Sequence, residues 1–305
     1  MVSIPRPIGT FAFLMAWLTP WKSVFSVRAG AQGLTFFAHR RDTIGRHIAK
    51  YGTHEPLLTK WLADYLEAAP PALVVDVGAN IGWHALHAAQ HRNVETVVAF
   101  EPDTFNAWLL ERNLAANKID KVIVNVCAVG REAGVARLFR YKSSNFGRHS
   151  IVNDYGYGGR AVPVTDLDSA LERLGFGDRA ISVIKIDVEG YEPAVLAGAH
   201  KTLARTEAVI VEYSPDLSGV GGLSAEVLLD QLARAGFVPF IMRHDGGTVR
   251  IAPENLQRFE GSLDVIWTRP ERWTPEVTRA MKQRTRDKLS IQEIAEQNKK
   301  VKKAI

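Results

Sequence analysis

The chain contains 305 residues, carries a formal net charge of +5 and is 46% hydrophobic. That length suits one large α/β domain or two small ones, and 23% charged residues with near-average apolar content exclude wholesale disorder and a multi-span membrane protein. The single cysteine, Cys127, excludes an intrachain disulfide framework and a cysteine-rich zinc module, and it fits a reducing compartment.

The excess positive charge is confined to the two ends of the chain. Residues 1–50 have a formal charge of +6, residues 51–270 of −6, and residues 271–305 of +5. Basic ends are typical of solvated termini, or of a contact with an anionic membrane or a protein partner. We expect no nucleic-acid partner, because no basic motif interleaved with aromatic residues is present.

The N-terminal segment 8–21 is apolar and contains two tryptophans. It is too short for a spanning helix, which needs roughly 20 residues, and Pro20 would end a helix early. The segment also resembles the hydrophobic region of a secretion signal, but Arg28 lies directly before the candidate cleavage site and counts against secretion. We therefore expect a cytoplasmic protein whose N-terminal segment packs on the core or contacts a membrane interface.

From residue 73 onward, short apolar runs alternate with amphipathic segments. The predicted strands are 73–77, 96–100, 122–126, 182–186, 208–211, 237–242 and 263–267. The predicted helices are 83–91, 103–117, 192–203 and 224–235. This alternation predicts an α/β fold with a mostly parallel sheet covered on both faces, and the last two strands predict an antiparallel hairpin at one edge. In such sheets, ligands bind at the carboxyl ends of the strands.

The first predicted strand runs into a loop with two glycines, Asp76-Val77-Gly78-Ala79-Asn80-Ile81-Gly82. The loop lacks the third glycine of the dinucleotide fingerprint, although Glu101 ends the next strand, where a carboxylate can accept both ribose hydroxyls of an adenosine. The aspartate at the loop entrance suits a cationic ligand better than a pyrophosphate. S-adenosylmethionine carries an ammonium and a sulfonium, so we expect it in preference to NAD.

Several further motifs accompany this loop. They are Arg41-Asp42-Thr43, Gly52-Thr53-His54-Glu55-Pro56, Phe100-Glu101-Pro102, Leu167-Asp168, Lys185-Ile186-Asp187-Val188-Glu189-Gly190-Tyr191-Glu192, and Glu212. With them, the run from about Thr35 to Pro270 resembles the FkbM family of S-adenosylmethionine-dependent methyltransferases. One departure is Trp83-His84, at a place where many members carry an aromatic pair.

The resemblance implies a class I methyltransferase fold, Rossmann-like, with a seven-stranded mostly parallel sheet and helices on both faces. It also implies O-methylation of a hydroxyl, commonly on a sugar, glycolipid, polysaccharide or polyketide. The implied cofactor-binding residues are Asp76, Gly78, Asn80 and Gly82 around the methionine part, Glu101 at the ribose, and Cys127 and Ala128 at the adenine. On this basis we divide the chain into an extension at 1–32, a methyltransferase domain at 33–270 and a basic helical tail at 271–305.

Methyl transfer from a sulfonium needs an oxygen nucleophile in line with the methyl carbon and a group that takes its proton. Asp187, just after the fourth strand, is our first candidate for the base or substrate-orienting group, and Glu189 is the second. His149, in a polar loop, is an alternative base, or an ordinary surface histidine. Glu189 and Glu192 could instead cap the helix that begins near Tyr191.

Clustered carboxylates at a strand end also suit Mg²⁺, but the sequence shows no second acidic cluster of clear spacing, so we predict no metal site. The histidines show no metal-ligand spacing with a supporting acid or cysteine. We therefore predict a methyltransferase for a glycan, glycolipid or related secondary metabolite, acting in polysaccharide or similar biosynthesis. The alternatives are an NAD-linked oxidoreductase on a similar sheet and a non-catalytic binding module.

Overall fold

A computed structural model describes residues 24–141, 145–217, 224–243 and 247–270. The strands are β1 (Val24–Ala29), β2 (Leu34–His39), β3 (Ala72–Val77), β4 (Val94–Phe100), β5 (Val122–Asn125), β6 (Ala128–Val129), β7 (Gly134–Phe139), β8 (Gly159–Thr165), β9 (Ile181–Ile186), β10 (Thr206–Tyr213), β11 (Val238–Met242), β12 (Thr248–Arg250) and β13 (Leu263–Thr268). The helices are α1 (Thr43–Tyr51), α2 (Pro56–Ala68), α3 (Trp83–Ala89), α4 (Thr104–Asn117), α5 (Leu167–Arg173), α6 (Glu192–Ala197), α7 (His200–Ala204), α8 (Ala225–Arg234) and α9 (Pro253–Leu256).

The central sheet has eight strands in the order β12-β11-β13-β10-β9-β3-β4-β5. The strands β10, β9, β3, β4 and β5 pair in parallel, whereas β13 runs antiparallel to both β10 and β11. The prediction of a mostly parallel α/β sheet is confirmed. Its strand order reverses direction at β3, from which β4 and β5 extend one way and β9 and β10 the other.

Two details of the predicted sheet differ in the structure. The last two predicted strands, β11 and β13, are antiparallel neighbours, but β13 lies between β10 and β11 rather than at an edge. The edge is formed by β12, an eighth strand of three residues that is too short to give a periodic signal. The helix predicted at 192–203 is two helices, α6 and α7, with Gly198 between them.

Alternate apolar residues along the central strands pack into two separate hydrophobic cores, one on each face of the sheet. Val75 and Val77 of β3 join a cluster with side chains of α5, α6, α7 and α8. Val74 joins a second cluster with side chains of α1, α2, α3 and α4. Because both faces are buried, the central strands read as continuous Val/Ile runs.

The strands β1 and β2 form an antiparallel hairpin that packs on α4. Asn113 accepts the Phe37 N–H at 2.6 Å and donates to the Phe37 and Ile81 carbonyls at 3.2 and 2.8 Å. Asn117 bonds both backbone groups of Thr35, at 2.8 and 2.7 Å. The two amides therefore take the place of a neighbouring strand along β2.

This hairpin bears on the division of the chain. The boundary that we predicted between residues 32 and 33 falls in the turn that joins β1 to β2. We propose that the folded domain includes residues from Val24 onward. The segment 8–21 and the tail 271–305 lie outside the described residues, and none of the described helices has the length and apolar character needed to cross a membrane.

The substitution Asn113→Ala tests the role of the asparagines. We expect it to lower the free energy of unfolding by about 2–4 kcal/mol, because each buried backbone group left without a partner costs roughly 1–3 kcal/mol. Urea denaturation measures this loss. The matched control is Glu111→Ala, on an exposed position of the same helix, which should change stability by less than about 0.5 kcal/mol. Equal effects of the two substitutions would contradict this account.

Candidate active site

The loops after β3 and β9 meet at the point where the strand order reverses. The Asp187 N–H donates to the Val77 carbonyl at 3.0 Å. Gly78 has a φ of +84°, and a Cβ placed on it would lie 1.9 Å from the Asp187 carbonyl oxygen. The position therefore requires glycine both for its conformation and for its contact with the neighbouring loop.

A first cavity, the Glu101 cavity, opens beside these loops. Its lining includes Gly78, Asn80, Phe100, Glu101, Asn106, Cys127, Ala128, His149, Asp187, Glu189 and Tyr191. Eight predicted cofactor-binding or catalytic positions are thus brought to one cavity: Gly78, Asn80, Glu101, Cys127, Ala128, His149, Asp187 and Glu189. Gly82 does not line it. Gly82 has a φ of +87° and begins α3, where a Cβ would overlap Leu110.

The Glu101 carboxylate is fixed by backbone donors on both sides. It accepts the Asn80 N–H at 2.8 Å and the Asp103 N–H at 2.7 Å, and the residue is 5% exposed. Burial raises the pKa of Glu101 to about 7. The hydrogen bond from the Asp103 N–H lowers this pKa, and the negative charge of Asp103 raises it. A carboxylate held this way still has lone pairs for two adjacent hydroxyls, which is the arrangement expected for ribose recognition.

Cys127 and Ala128 follow β5, where the sequence predicted the adenine border. Ala128 is buried at the start of β6, and Cys127 is half-buried. Burial raises the pKa of the Cys127 thiol, so it behaves as a small apolar surface. Both residues suit contact with a flat, apolar ring.

A second cavity, the Lys185 cavity, lies on the other side of the same loops. Its lining includes His54, Glu55, Asp76, Gly78, Asn80, His84, Arg148, Lys185, Asp187, Glu189, Glu212 and Ser262. Gly78, Asn80, Gly147, Asp187 and Glu189 line both cavities. The two cavities therefore share a wall, and the two predicted catalytic carboxylates belong to that wall.

The Lys185 ammonium lies among the carboxylates of the Lys185 cavity and offsets their negative charge. Its ammonium lies 2.9 Å from Asp187 Oδ2, and the residue is only 5% exposed. Burial favours the neutral amine, but the charges of Asp187, Asp76 and Glu55 outweigh it and raise the pKa of Lys185. The group is thus a permanent cation.

Asp76, near the end of β3, is 2% exposed, and no side chain among the described residues forms a hydrogen bond with its carboxylate, although the Ala85 N–H lies close to it. Burial raises its pKa, while Lys185 and His84 lower it. It lines the Lys185 cavity and does not line the Glu101 cavity. A buried carboxylate at a cavity wall that no side chain compensates by a hydrogen bond fits a cationic or hydrogen-bond-donating ligand.

Glu189 adopts a left-handed backbone conformation with a φ of 54°, and Arg148 Nε lies 3.4 Å from its carboxylate. Burial and the nearby Asp187 charge raise the pKa of Glu189 to about 8. Glu192 is fully buried and accepts the N–H groups of Val188 and Gly190 at 3.0 and 3.2 Å. Neither acid caps α6, so Glu192 instead fixes the loop that carries Glu189.

His149 lies in the Glu101 cavity and does not line the Lys185 cavity. Its Nδ1 accepts the Tyr141 N–H at 3.1 Å, and burial lowers its pKa. This position is on the predicted ribose side, apart from Asp76 and Lys185. Its role as an alternative base stays a prediction.

One pair of side chains in the Lys185 cavity was missed by the sequence analysis. His84 Nε2 lies 2.8 Å from Glu55 Oε2, and His54, the Glu55–His84 hydrogen bond and Lys185 hold the pKa of Glu55 low against the effect of burial. The partners are 29 residues apart in the chain, so no local spacing could reveal them. Backbone conformation marks the same place: Glu55, Asn80 and Glu189 are three of the four non-glycine residues with positive φ in the described part of the chain.

The contact at Gly78 can be tested by Gly78→Ala. A new Cβ would overlap a backbone oxygen and keep an unfavourable φ, so we expect stability to fall by at least roughly 1–3 kcal/mol. S-adenosylhomocysteine binding, measured by calorimetry, should be lost as the loop is displaced. Gly134→Ala is the matched control, because nothing lies within 4 Å of its added Cβ and its φ is not positive. Retained binding by Gly78→Ala would disprove the role of this contact.

The charge of Glu101 gives a pH dependence. Ribose hydroxyls donate to the ionised carboxylate, so affinity for S-adenosylhomocysteine should be highest above pH 7 and fall by about tenfold per pH unit below it. Glu101→Gln should weaken binding by about 1.5–3 kcal/mol and flatten this profile. Calorimetry across the pH range measures both effects. Glu132→Gln, at an exposed turn, is the control, and an unchanged profile in Glu101→Gln would refute the assignment.

Comparison with known proteins gives a family for this architecture. The Methyltransferase FkbM domain family matches residues 76–239. The 31-O-demethyl-FK506 methyltransferase FkbM of Streptomyces tacrolimicus is 31% identical over 165 residues, which cover 45% of this chain and 63% of that protein. The AMB antimetabolite synthetase AmbE of Pseudomonas aeruginosa is 27% identical over 212 residues, which cover 57% of this chain and 10% of that protein. The matches thus span less than two thirds of either relative.

The solved structures that the chain resembles are more distant in sequence. An rRNA methylase from Streptococcus thermophilus is 11% identical, covering 70% of this chain and 94% of its own, with a TM-score of 0.41. A SAM-dependent methyltransferase from Agrobacterium tumefaciens is 10% identical, covering 81% of this chain and 70% of its own, with a TM-score of 0.43. The family match covers more than half of the chain and agrees with the mostly parallel sheet and its predicted class I methyltransferase fold. The chain belongs to the FkbM methyltransferase family.

Proposed function

We propose that the protein is an O-methyltransferase that transfers a methyl group from S-adenosylmethionine, the cofactor of its family, to a hydroxyl of a glycan, glycolipid or related secondary metabolite. The wall shared by the two cavities carries this proposal. Asp187 and Glu189 line both cavities, so a hydroxyl in the Lys185 cavity would meet a cofactor held in the Glu101 cavity beside a carboxylate. The name of the relative from Streptomyces tacrolimicus, which places its methyl group on an oxygen, supports the choice of acceptor atom.

The proposed reaction is an in-line displacement. The acceptor oxygen forms a bond to the methyl carbon while the bond from that carbon to the sulfonium breaks, leaving S-adenosylhomocysteine. The hydroxyl proton passes to the Asp187 carboxylate. The Lys185 ammonium, 2.9 Å from Asp187 Oδ2, orients that carboxylate towards the acceptor.

The charges in the Lys185 cavity favour an uncharged acceptor. Five carboxyl groups line it, those of Glu55, Asp76, Asp187, Glu189 and Glu212, against the cations Lys185 and Arg148. A phosphate or carboxylate close to the reacting hydroxyl would be repelled. This balance supports a neutral polyol such as a glycan, and it disfavours a nucleic acid.

We further propose a cytoplasmic enzyme with a peripheral membrane contact. The support is the charge distribution, since residues 1–50 and 271–305 carry formal charges of +6 and +5 beside a negative central part. Such a contact would suit an acceptor attached to a lipid. Family membership favours methyl transfer over the NAD-linked oxidoreductase, and turnover separates an enzyme from a non-catalytic module.

The experiment is methyl transfer from methyl-labelled S-adenosylmethionine to neutral glycan and glycolipid fractions. We expect label in an alkali-stable product, as an ether requires. Asp187→Asn should slow transfer by roughly 100-fold or more, because a positioned base contributes about 10²–10⁴-fold. Binding of S-adenosylhomocysteine should stay close to that of the wild type.

Asp120→Asn, an exposed acid in the turn before β5, serves as the control and should retain full activity. An unfolding midpoint for Asp187→Asn separates lost chemistry from lost structure, since the substitution removes one partner of Lys185. Label in an alkali-labile ester or in nucleic acid would contradict the proposed acceptor. Full activity of Asp187→Asn would contradict the proposed base.

A further inference from the structure

Three carboxylates converge at the carboxyl ends of β9 and β10. One oxygen from each of Asp187, Glu189 and Glu212 lies within 4.8 Å of the other two. The strands are parallel neighbours, with Val211 opposite Ile186, so the residues that follow them come to the same edge of the sheet. The sequence predicted no metal site because Glu212 belongs to a different strand from the acids in the Lys185-to-Glu192 motif.

Two cations lie near these three carboxyl groups, which is one too few to pair with each of them. Lys185 lies 2.9 Å from Asp187 and Arg148 lies 3.4 Å from Glu189. Among the described residues, Glu212 has one hydrogen-bond donor, the Ser262 hydroxyl, which donates to Oε1. Its Oε2 is buried and accepts no hydrogen bond within the part of the chain that the structure describes. A buried carboxylate oxygen without a hydrogen bond destabilises the folded protein unless a bound ligand interacts with it.

A second observation comes from the neighbouring strand. Asp76, near the end of β3, is 2% exposed, lines the same cavity, and has no side-chain hydrogen-bond partner for its carboxylate among the described residues. Asp76 belongs to neither of the ion pairs described above. Its charge raises the pKa of Lys185, and the Asp187 charge raises the pKa of Asp76. Five carboxyl groups therefore face one cavity. Lys185 pairs with Asp187, Arg148 with Glu189 and His84 with Glu55, and neither Asp76 nor Glu212 has an ion pair among the described residues.

We infer that Asp187, Glu189 and Glu212 bind one divalent cation of the magnesium class in the Lys185 cavity. The donors are all oxygens, which suits Mg²⁺ or Mn²⁺ and not a zinc site built on sulfur or imidazole. Three protein ligands leave coordination positions open, as magnesium sites generally do. This step rests on the proposed function. Two neighbouring hydroxyls of the acceptor would take the open positions, and one of them would face the shared wall. Asp187 would accept the proton of that hydroxyl on the carboxylate oxygen that the cation does not hold.

The test uses the full-length protein with Mn²⁺ as the probe, followed by electron paramagnetic resonance and by calorimetry. We expect one Mn²⁺ per chain, displaced by excess Mg²⁺. Glu212→Gln keeps the shape of the side chain and should weaken Mn²⁺ binding by at least about tenfold, the lower end of what loss of an orienting group costs a metal site. Glu172→Gln, exposed on α5, is the matched control and should bind as the wild type does.

Binding of S-adenosylhomocysteine, measured on the same samples, reports the fold and the cofactor site independently. If the wild type binds S-adenosylhomocysteine but no Mn²⁺, the metal proposal is wrong and the proposed function stands. If Glu212→Gln binds Mn²⁺ as tightly as the wild type, or if several weak sites appear, the ligand set is also wrong. If S-adenosylhomocysteine does not bind, the proposed function itself fails, whatever Mn²⁺ does.

Discussion

The buried ammonium of Lys185 is the interaction on which the rest of the site depends. The parallel strands β3 and β9 bring Asp76 and Asp187 to one edge, and two carboxylates in a buried place repel each other strongly. Lys185 pairs with Asp187 at 2.9 Å and also compensates Asp76 and Glu55. The Lys185 side chain is 7% exposed and that of Asp187 is 29% exposed, so loss of Asp187 would leave a buried cation with less compensation. The cation thus makes an acidic cavity compatible with a folded sheet.

The same charge balance separates the work of the two cavities. In the Glu101 cavity, the Glu101 carboxylate is held by the Asn80 and Asp103 N–H groups, an arrangement suited to neutral hydroxyls. In the Lys185 cavity, carboxylates outnumber cations, which attracts cations and hydrogen-bond donors. A sulfonium placed at the common wall would lie beside Asp187 and Glu189. In the proposed reaction, the cofactor's positive centre and the acceptor's hydroxyl would therefore both be drawn to one place.

Much of this arrangement could be predicted because its sequence signals lie within short segments of the chain. The Val/Ile run of β3, the glycine loop after it and the acid that ends β4 are each recognisable within a few residues, and they lie together as expected. The contact of Glu55 with His84 joins residues 29 apart, and Glu212 joins the acids of another strand, so only the tertiary structure brings them together. The β1–β2 hairpin escaped prediction for a related reason, since its stability comes from Asn113 and Asn117 of a distant helix rather than from its own pattern.

The backbone at Gly78 couples the two cavities mechanically. Its Cα lies so close to the Asp187 carbonyl that no side chain fits between them, and the Asp187 N–H is bonded to Val77. The loop that would hold the methionine part of the cofactor therefore cannot shift without moving the carboxylate that would take the acceptor's proton. Displacement at a methyl carbon tolerates little error in distance or angle. A direct contact between two backbones maintains that geometry better than flexible side chains could. Glycine is therefore needed after β3, where the strand order of the sheet reverses.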